Sequence, residues 1–149
     1  MPPAHIPQDP DFEARVRASF GLQTVMALIG AEMTSVTPGA TEITLPMRDD
    51  LTQQRGYIHA GIVTTIVDSA CGYAALTLAP IGADVLTIEY KANFMSPARG
   101  ERLIARGRVV RAGRTITVCA GDVFAERDGG EHAVATMLAT VMVLAPQAA

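Results

Sequence analysis

The stretch Ile58–Ile81 reads IHAGIVTTIVDSACGYAALTLAPI, and Asp68 is the only charged residue among its Asp, Glu, Lys and Arg positions. Its length would suit a membrane-spanning helix. Asp68 lies near its centre, however, at a cost of roughly 2.5–3.5 kcal/mol on insertion scales. Thr64, Thr65, Ser69 and Thr77 dilute the run, and no Lys/Arg cluster flanks it. A helix starting near His59 and buried in the core of one domain fits better than a membrane span.

The residues on either side of this helix read as strands. Upstream, the runs around Pro38-Gly39 extend from Ile29 to Met47, with Thr41, Ile43 and Leu45 alternating with polar neighbours. Downstream, Asp84–Phe94 has period two, with Leu86, Ile88, Tyr90, Ala92 and Phe94 on one face and Thr87 on the other. Arg102–Val110 and Thr115–Ala125 form a hairpin around Ala112-Gly113, and Glu131–Leu144 closes the series after Asp128-Gly129-Gly130. In this last strand Ala133, Ala135, Met137, Ala139, Val141 and Val143 share a face. Before all of these, Asp9–Phe20 reads as a short amphipathic helix stopped by Gly21. The expected fold is α+β, a curved antiparallel sheet wrapped around one long helix. Residues 1–28 form an N-terminal helical segment and residues 29–149 a single domain. A lone sheet of this size leaves an open edge and an apolar outer face, so a homo-oligomer is expected.

Composition agrees with this arrangement. The 149 residues are 49% hydrophobic and 5% aromatic, which excludes a disordered tail and suits small residues packed under a sheet. The net charge of −3 argues against nucleic-acid binding by bulk attraction. The N-terminus lacks a basic stretch followed by an apolar run, so no secretory signal is read there. Cys71 and Cys119 match no metal spacing and read as buried small residues in a reducing cytoplasm. No metal site is expected, and His5 and His132 are assigned no role.

Chemistry concentrates at the start of the helix. With the first turn at His59, the free N–H groups of Ala60 and Gly61 lie at its positive end and can hold an oxygen gaining negative charge. Asp68 follows Gly61 by seven residues, about two turns along one face. Together with Thr64, Thr65, Cys71 and Gly72 it makes a stripe of small or polar groups on an Ile/Val/Ala helix. A carboxylate there is either tied to a neighbouring strand or faces a cleft as a base or nucleophile.

Gly56, His59, Gly61 and Asp68, in the pattern G-x-x-H-x-G-x6-D, resemble the hotdog-fold acyl-CoA thioesterases, with the phenylacetic-acid-degradation type as the nearest branch. The runs Tyr90–Gly100 and Val109–Arg114 are also similar to that family, and the likeness covers about residues 30–145. The resemblance implies hydrolysis of an acyl-CoA thioester with Asp68 as general base or nucleophile. It implies that the Ala60 N–H and the Gln53 amide hold the thioester carbonyl, with His59 orienting that amide or lining the pocket. Thr87 falls where some members position water. Ala60 departs from the glycine usual at that position. The resemblance further implies a cytoplasmic homodimer or homotetramer with sites formed between subunits, and no cofactor beyond the coenzyme A of the substrate. A hotdog-fold dehydratase or isomerase and a non-catalytic acyl-CoA-binding protein are the alternatives. The acyl group stays open between aromatic and aliphatic.

Eleven of the twelve cations are arginine, and six lie between Arg99 and Arg114 against Glu101 alone, a local net of +5. Arg102, Arg106 and Arg108 share one face of their strand and read as solvated. Arg99, Arg111, Gly113 and Arg114 lie at strand ends and turns, where nucleotide phosphates can be gripped. Gly61 completes the expected substrate-binding set.

Overall fold

The long helix forms where the sequence places it. In a computed structural model describing residues 4–148, α3 spans Ala60–Leu76, and Val63, Ile66, Val67, Ala70, Cys71 and Ala74 on it are all but sealed from solvent. Two helices precede it, α1 (Phe12–Leu22) and α2 (Thr24–Ile29). The strands are β1 (Glu32–Thr37), β2 (Ala40–Pro46), β3 (Asp84–Phe94), β4 (Arg102–Ala112), β5 (Ile116–Arg127) and β6 (Gly130–Leu144). All pair antiparallel in the order β1-β2-β4-β5-β6-β3. This is the expected α+β hotdog architecture. β1 and β3 are the two open edges.

The helix sits closest to the sheet over a pair of glycines. Gly107 and Gly121 face each other across β4 and β5, and a Cβ on Gly107 would come within 2.3 Å of the Ala70 backbone. One on Gly121 would meet the Val67 side chain at 2.6 Å and Cys71 Sγ at 2.8 Å. Without side chains at these two positions, α3 lies against the backbone of the sheet. The contact is fastened by hydrogen bonds that satisfy buried polar groups. Thr41 Oγ1 donates to the Ala70 carbonyl at 2.7 Å, and the Gly39 N–H donates to Thr77 Oγ1 at 2.8 Å. At the same C-terminal end of α3, Arg15 donates to the carbonyls of Leu76, Ala79 and Pro80, taking up acceptors that a helix end leaves open. Asp9 holds the Arg15 guanidinium in place at 3.3 Å.

Local departures from the periodicity have specific causes. Gly21 does not stop the first helix, which runs on to Leu22; Gly30, at φ +79°, ends α2 instead. Ile29 belongs to α2 and is buried in the main core with Met26, so β1 begins three residues later. A bulge between Thr87 and Glu89 breaks the alternation of β3. Val85 and Thr87 point inward before it and Ala92 after it, leaving Leu86 60% and Ile88 51% exposed. In β6 a register shift opposite Val123 and Phe124 buries Val134 in place of Ala133.

Candidate active site

The segment before α3 is a tightly hydrogen-bonded loop. A 3-10 turn at Asp49–Leu51 leads into a bridge between Thr52 and Ile58, and the Gln53 N–H donates to the Tyr57 carbonyl at 2.8 Å. Gly56, at φ +82°, closes the reversal, a conformation glycine adopts without strain. Two further bonds anchor the exit: Ile58 N–H to the Ala98 carbonyl at 2.9 Å and His59 N–H to Leu51 at 3.0 Å. The Gln53 side-chain carbonyl accepts from the Arg55 N–H, which leaves its NH2 group as the end available to a ligand.

His59 is the N-cap of α3. Its Nδ1 accepts from the Gly61 N–H at 2.8 Å, so that donor is already used. The Ala60 N–H makes no hydrogen bond among the described residues. Ala60 and Gln53 line one cavity of about 440 Å³ with Tyr57, Phe94, Met95 and Ser96. The N–H of Ala60 and the NH2 of Gln53 are thus two donors at the positive end of a helix, an arrangement suited to a carbonyl oxygen gaining charge.

Asp68 lies two turns on, half-buried, and its Oδ1 accepts from Thr87 Oγ1 on β3 at 2.8 Å. Burial holds the carboxyl above the usual carboxylate range, and the Thr87 hydrogen bond offsets part of that rise. These two residues line a second cavity, of about 530 Å³, together with Ser19, Gln23, Gly72 and Tyr73. A carboxylate of raised proton affinity in a cavity is what a general base requires.

Eight residues separate Ala60 from Asp68, which is about 12 Å along the helix axis at 1.5 Å per residue. The helix-start donors and the carboxylate therefore open into different cavities of the same chain.

The arginine cluster divides as well. Arg102 pairs with Glu126 at 2.9 Å, Arg106 with Glu42 at 2.8 Å and Glu131 at 2.7 Å, and Arg108 with Asp122 at 2.7 Å. Those three cover the outer face of the sheet. The side chains of Arg99, Arg111 and Arg114 are exposed and carry no hydrogen bond or ion pair among the described residues. They do not form one group: Arg99 precedes β4 and Arg111 lies near its far end. Arg114 and Gly113 line a cavity of about 290 Å³ beside Ala79 and Pro80, past the end of α3.

Ser19, Gln23 and Tyr73, which share the cavity with Asp68, carry no motif in the sequence. Ser19 and Gln23 come from the opposite end of the chain fold, and only the packing of α1 on α3 brings them there. Among the described residues no cluster of His, Cys, Asp and Glu could hold a metal ion, and no helix is long and apolar enough to cross a membrane. Cys71 and Cys119 are buried, and burial pushes the Cys119 thiol up to about 12, which keeps it protonated and unreactive.

A buried-helix carboxylate, donors at the helix start and a sheet wrapped around both define a family, and the chain belongs to the thioesterase superfamily, whose sequence model matches residues 55–131. The crystal structure of a thioesterase family protein from Silicibacter pomeroyi is 51% identical, with a TM-score of 0.88 over 89% of this chain and 98% of that one. Human acyl-coenzyme A thioesterase 13 is 26% identical over 92 residues, 61% of this chain and 65% of that protein. The Escherichia coli PaaI protein of the phenylacetic acid degradation operon shares the fold at 15% identity, with a TM-score of 0.84 over 94% of this chain and 98% of its own. The chain spans 65% and 66% of the length of the first curated relatives it matches, just under two thirds.

Proposed function

We propose that the protein hydrolyses an acyl-CoA thioester to a carboxylic acid and free CoA. The observation that carries this reading is Asp68 held by Thr87 in a cavity, on the same helix that presents the Ala60 N–H at its start. Asp68 takes a proton from a water that Thr87 helps to place. The water oxygen bonds to the thioester carbon, and negative charge gathers on the carbonyl oxygen facing Ala60 and Gln53. The carbon–sulfur bond then breaks and the proton passes from Asp68 to the departing thiolate. A direct attack by the carboxylate, through an anhydride that water opens, uses the same groups.

The separation of about 12 Å along α3 is met by a second copy of the chain, with Asp68 of one subunit facing the donors of the other. Support for a homodimer, or a dimer of dimers, comes from the open β3 edge, where Leu86, Ile88, Tyr90 and Phe94 are between 44% and 60% exposed. Coenzyme A enters as part of the substrate, with Arg111 and Arg114, exposed around the β4–β5 turn, as the residues that would grip its phosphates. The expected setting is the cytoplasm. A dehydratase would need the His59 ring at the acyl carbons, and His59 lines neither of the two cavities.

The test is release of free thiol from a panel of aromatic and aliphatic acyl-CoAs, followed with a thiol-reactive dye. Hydrolysis that is lost in Asp68→Asn supports the reading. Absence of thiol release across the panel, or an unimpaired Asp68→Asn variant, overturns it.

A further inference from the structure

Beyond Asp68 the same cavity ends in hydrogen-bonding groups that hydrolysis does not use. Ser19 Oγ and Tyr73 Oη lie 3.2 Å apart, and Ser69 Oγ donates to Gln23 Oε1 at 3.4 Å. The Tyr73 ring is fixed edge-on against Phe20, with centroids 5.9 Å apart. Tyr73 follows Asp68 by five residues, so the Ser19–Tyr73 pair lies about 7.5 Å further along α3 from the carboxylate, with the Ser69–Gln23 pair between them. The Ser19–Tyr73 pair has two hydroxyl protons and uses one between its members; with Gln23 also bonded to the Tyr73 hydroxyl, one donor is left for a ligand.

A second observation concerns the room beside them. Gly72 lines this cavity in the interior of a 17-residue helix, where glycine is unfavourable relative to alanine. Unlike Gly107 and Gly121, it meets no constraint from its own chain: a Cβ built there finds nothing within 4 Å. The space is kept clear although no residue of the chain fills it. The charges on the lining are Asp68 and Asp84, both acidic, with no cation among them.

We infer that this cavity receives the acyl group, and that Ser19, Gln23 and Tyr73 select a neutral acyl chain ending in a hydroxyl over an unsubstituted one of equal length. The two carboxylates disfavour an acyl group ending in a third. The inference rests on the hydrolase reading and adds to it the class of substrate and three specificity-determining residues.

Three esters of equal chain length form the test: hexanoyl-CoA, 6-hydroxyhexanoyl-CoA and adipyl-CoA. The hydroxylated ester is expected to have a kcat/KM at least about tenfold above hexanoyl-CoA, with adipyl-CoA slowest. In a Ser19→Ala, Tyr73→Phe double variant, shown to be folded by its thermal melt, that ratio falls to near one. Gly72→Val raises KM for all three esters while the oligomeric mass is unchanged. Hydrolysis that favours hexanoyl-CoA, or a ratio untouched by the double variant, overturns this inference and leaves the hydrolase reading standing. A Gly72→Val variant that dissociates into monomers overturns it too, since the space is then occupied by a second subunit. No thiol release from any ester overturns both.

Discussion

Thr87 Oγ1 donates to Asp68 Oδ1 at 2.8 Å, joining the edge strand β3 to the central helix α3. Burial raises the proton affinity of Asp68 and the threonine hydrogen bond lowers it, so the carboxyl is balanced between two opposing effects. Thr87→Val removes the lowering partner, and the Asp68 carboxyl then holds its proton to higher pH. Because hydrolysis needs the ionised form, the acid limb of the kcat/KM profile moves to higher pH in this variant. Thr87→Ser restores the donor and returns the limb towards its original position. An unmoved limb in Thr87→Val would show that the hydrogen bond does not tune the base.

Asp68→Asn separates catalysis from stability. Turnover is expected to fall at least ~10²-fold, the scale of a lost general base. Stability moves the other way. The folded carboxyl titrates above its unfolded value of 3.8, so between the two the native state binds more protons than the unfolded chain. Stability from this group is therefore present at low pH and lost as pH rises through the folded value. The asparagine variant keeps an acceptor for Thr87 without the desolvated charge. It should melt higher than the parent at pH 7, and the advantage should shrink towards pH 4. A lower melting temperature at pH 7 would contradict this.

Intersubunit sites predict complementation. Gln53→Ala and Asp68→Asn are each nearly inactive alone. Mixed and allowed to exchange subunits, they form heterodimers in which one of the two sites is intact. Random exchange recovers about a quarter of the parent activity, since half the dimers are mixed. Sites confined to one chain would give no recovery.

Glycines of the fold and of the cavity should respond oppositely to the same change. Gly107→Ala drives a methyl into the Ala70 backbone and is expected to cost about 3 kcal/mol, at the upper end of overpacking. Gly72→Ala enters open space and gains up to about 1 kcal/mol in helix propensity. Denaturant melts of the two variants check both signs.

The long helix was legible because a continuous apolar run with one carboxylate and a glycine-flanked histidine has few other solutions. The strand faces were less so. A bulge adds a residue without marking the sequence, which is why Leu86 and Ile88 lie outside although their spacing matches Ala92. The arginine cluster is spread out in space for a simpler reason. In a strand at about 3.3 Å per residue, Arg102 and Arg111 are about 30 Å apart, so closeness in sequence is distance in space. Tyr73 sat in plain view on the helix, but nothing local distinguishes a core tyrosine from one that faces a ligand. Its partner Ser19 is visible only after α1 has docked.

The glycine seat of α3 also bears on how such a protein can diversify. Gly107 and Gly121 answer only to the helix above them, whereas Ser19, Gln23, Gly72 and Tyr73 answer to whatever fills the cavity. On the proposed reading, frame and specificity are written largely at separate positions, with Tyr73 alone also part of a buried cluster with Val16 and Leu76. Descendants of one ancestral chain can exchange the cavity positions for a new acyl group while the seat holds the catalytic helix at the same height. Selection can then act on substrate choice one residue at a time, without re-solving the fold.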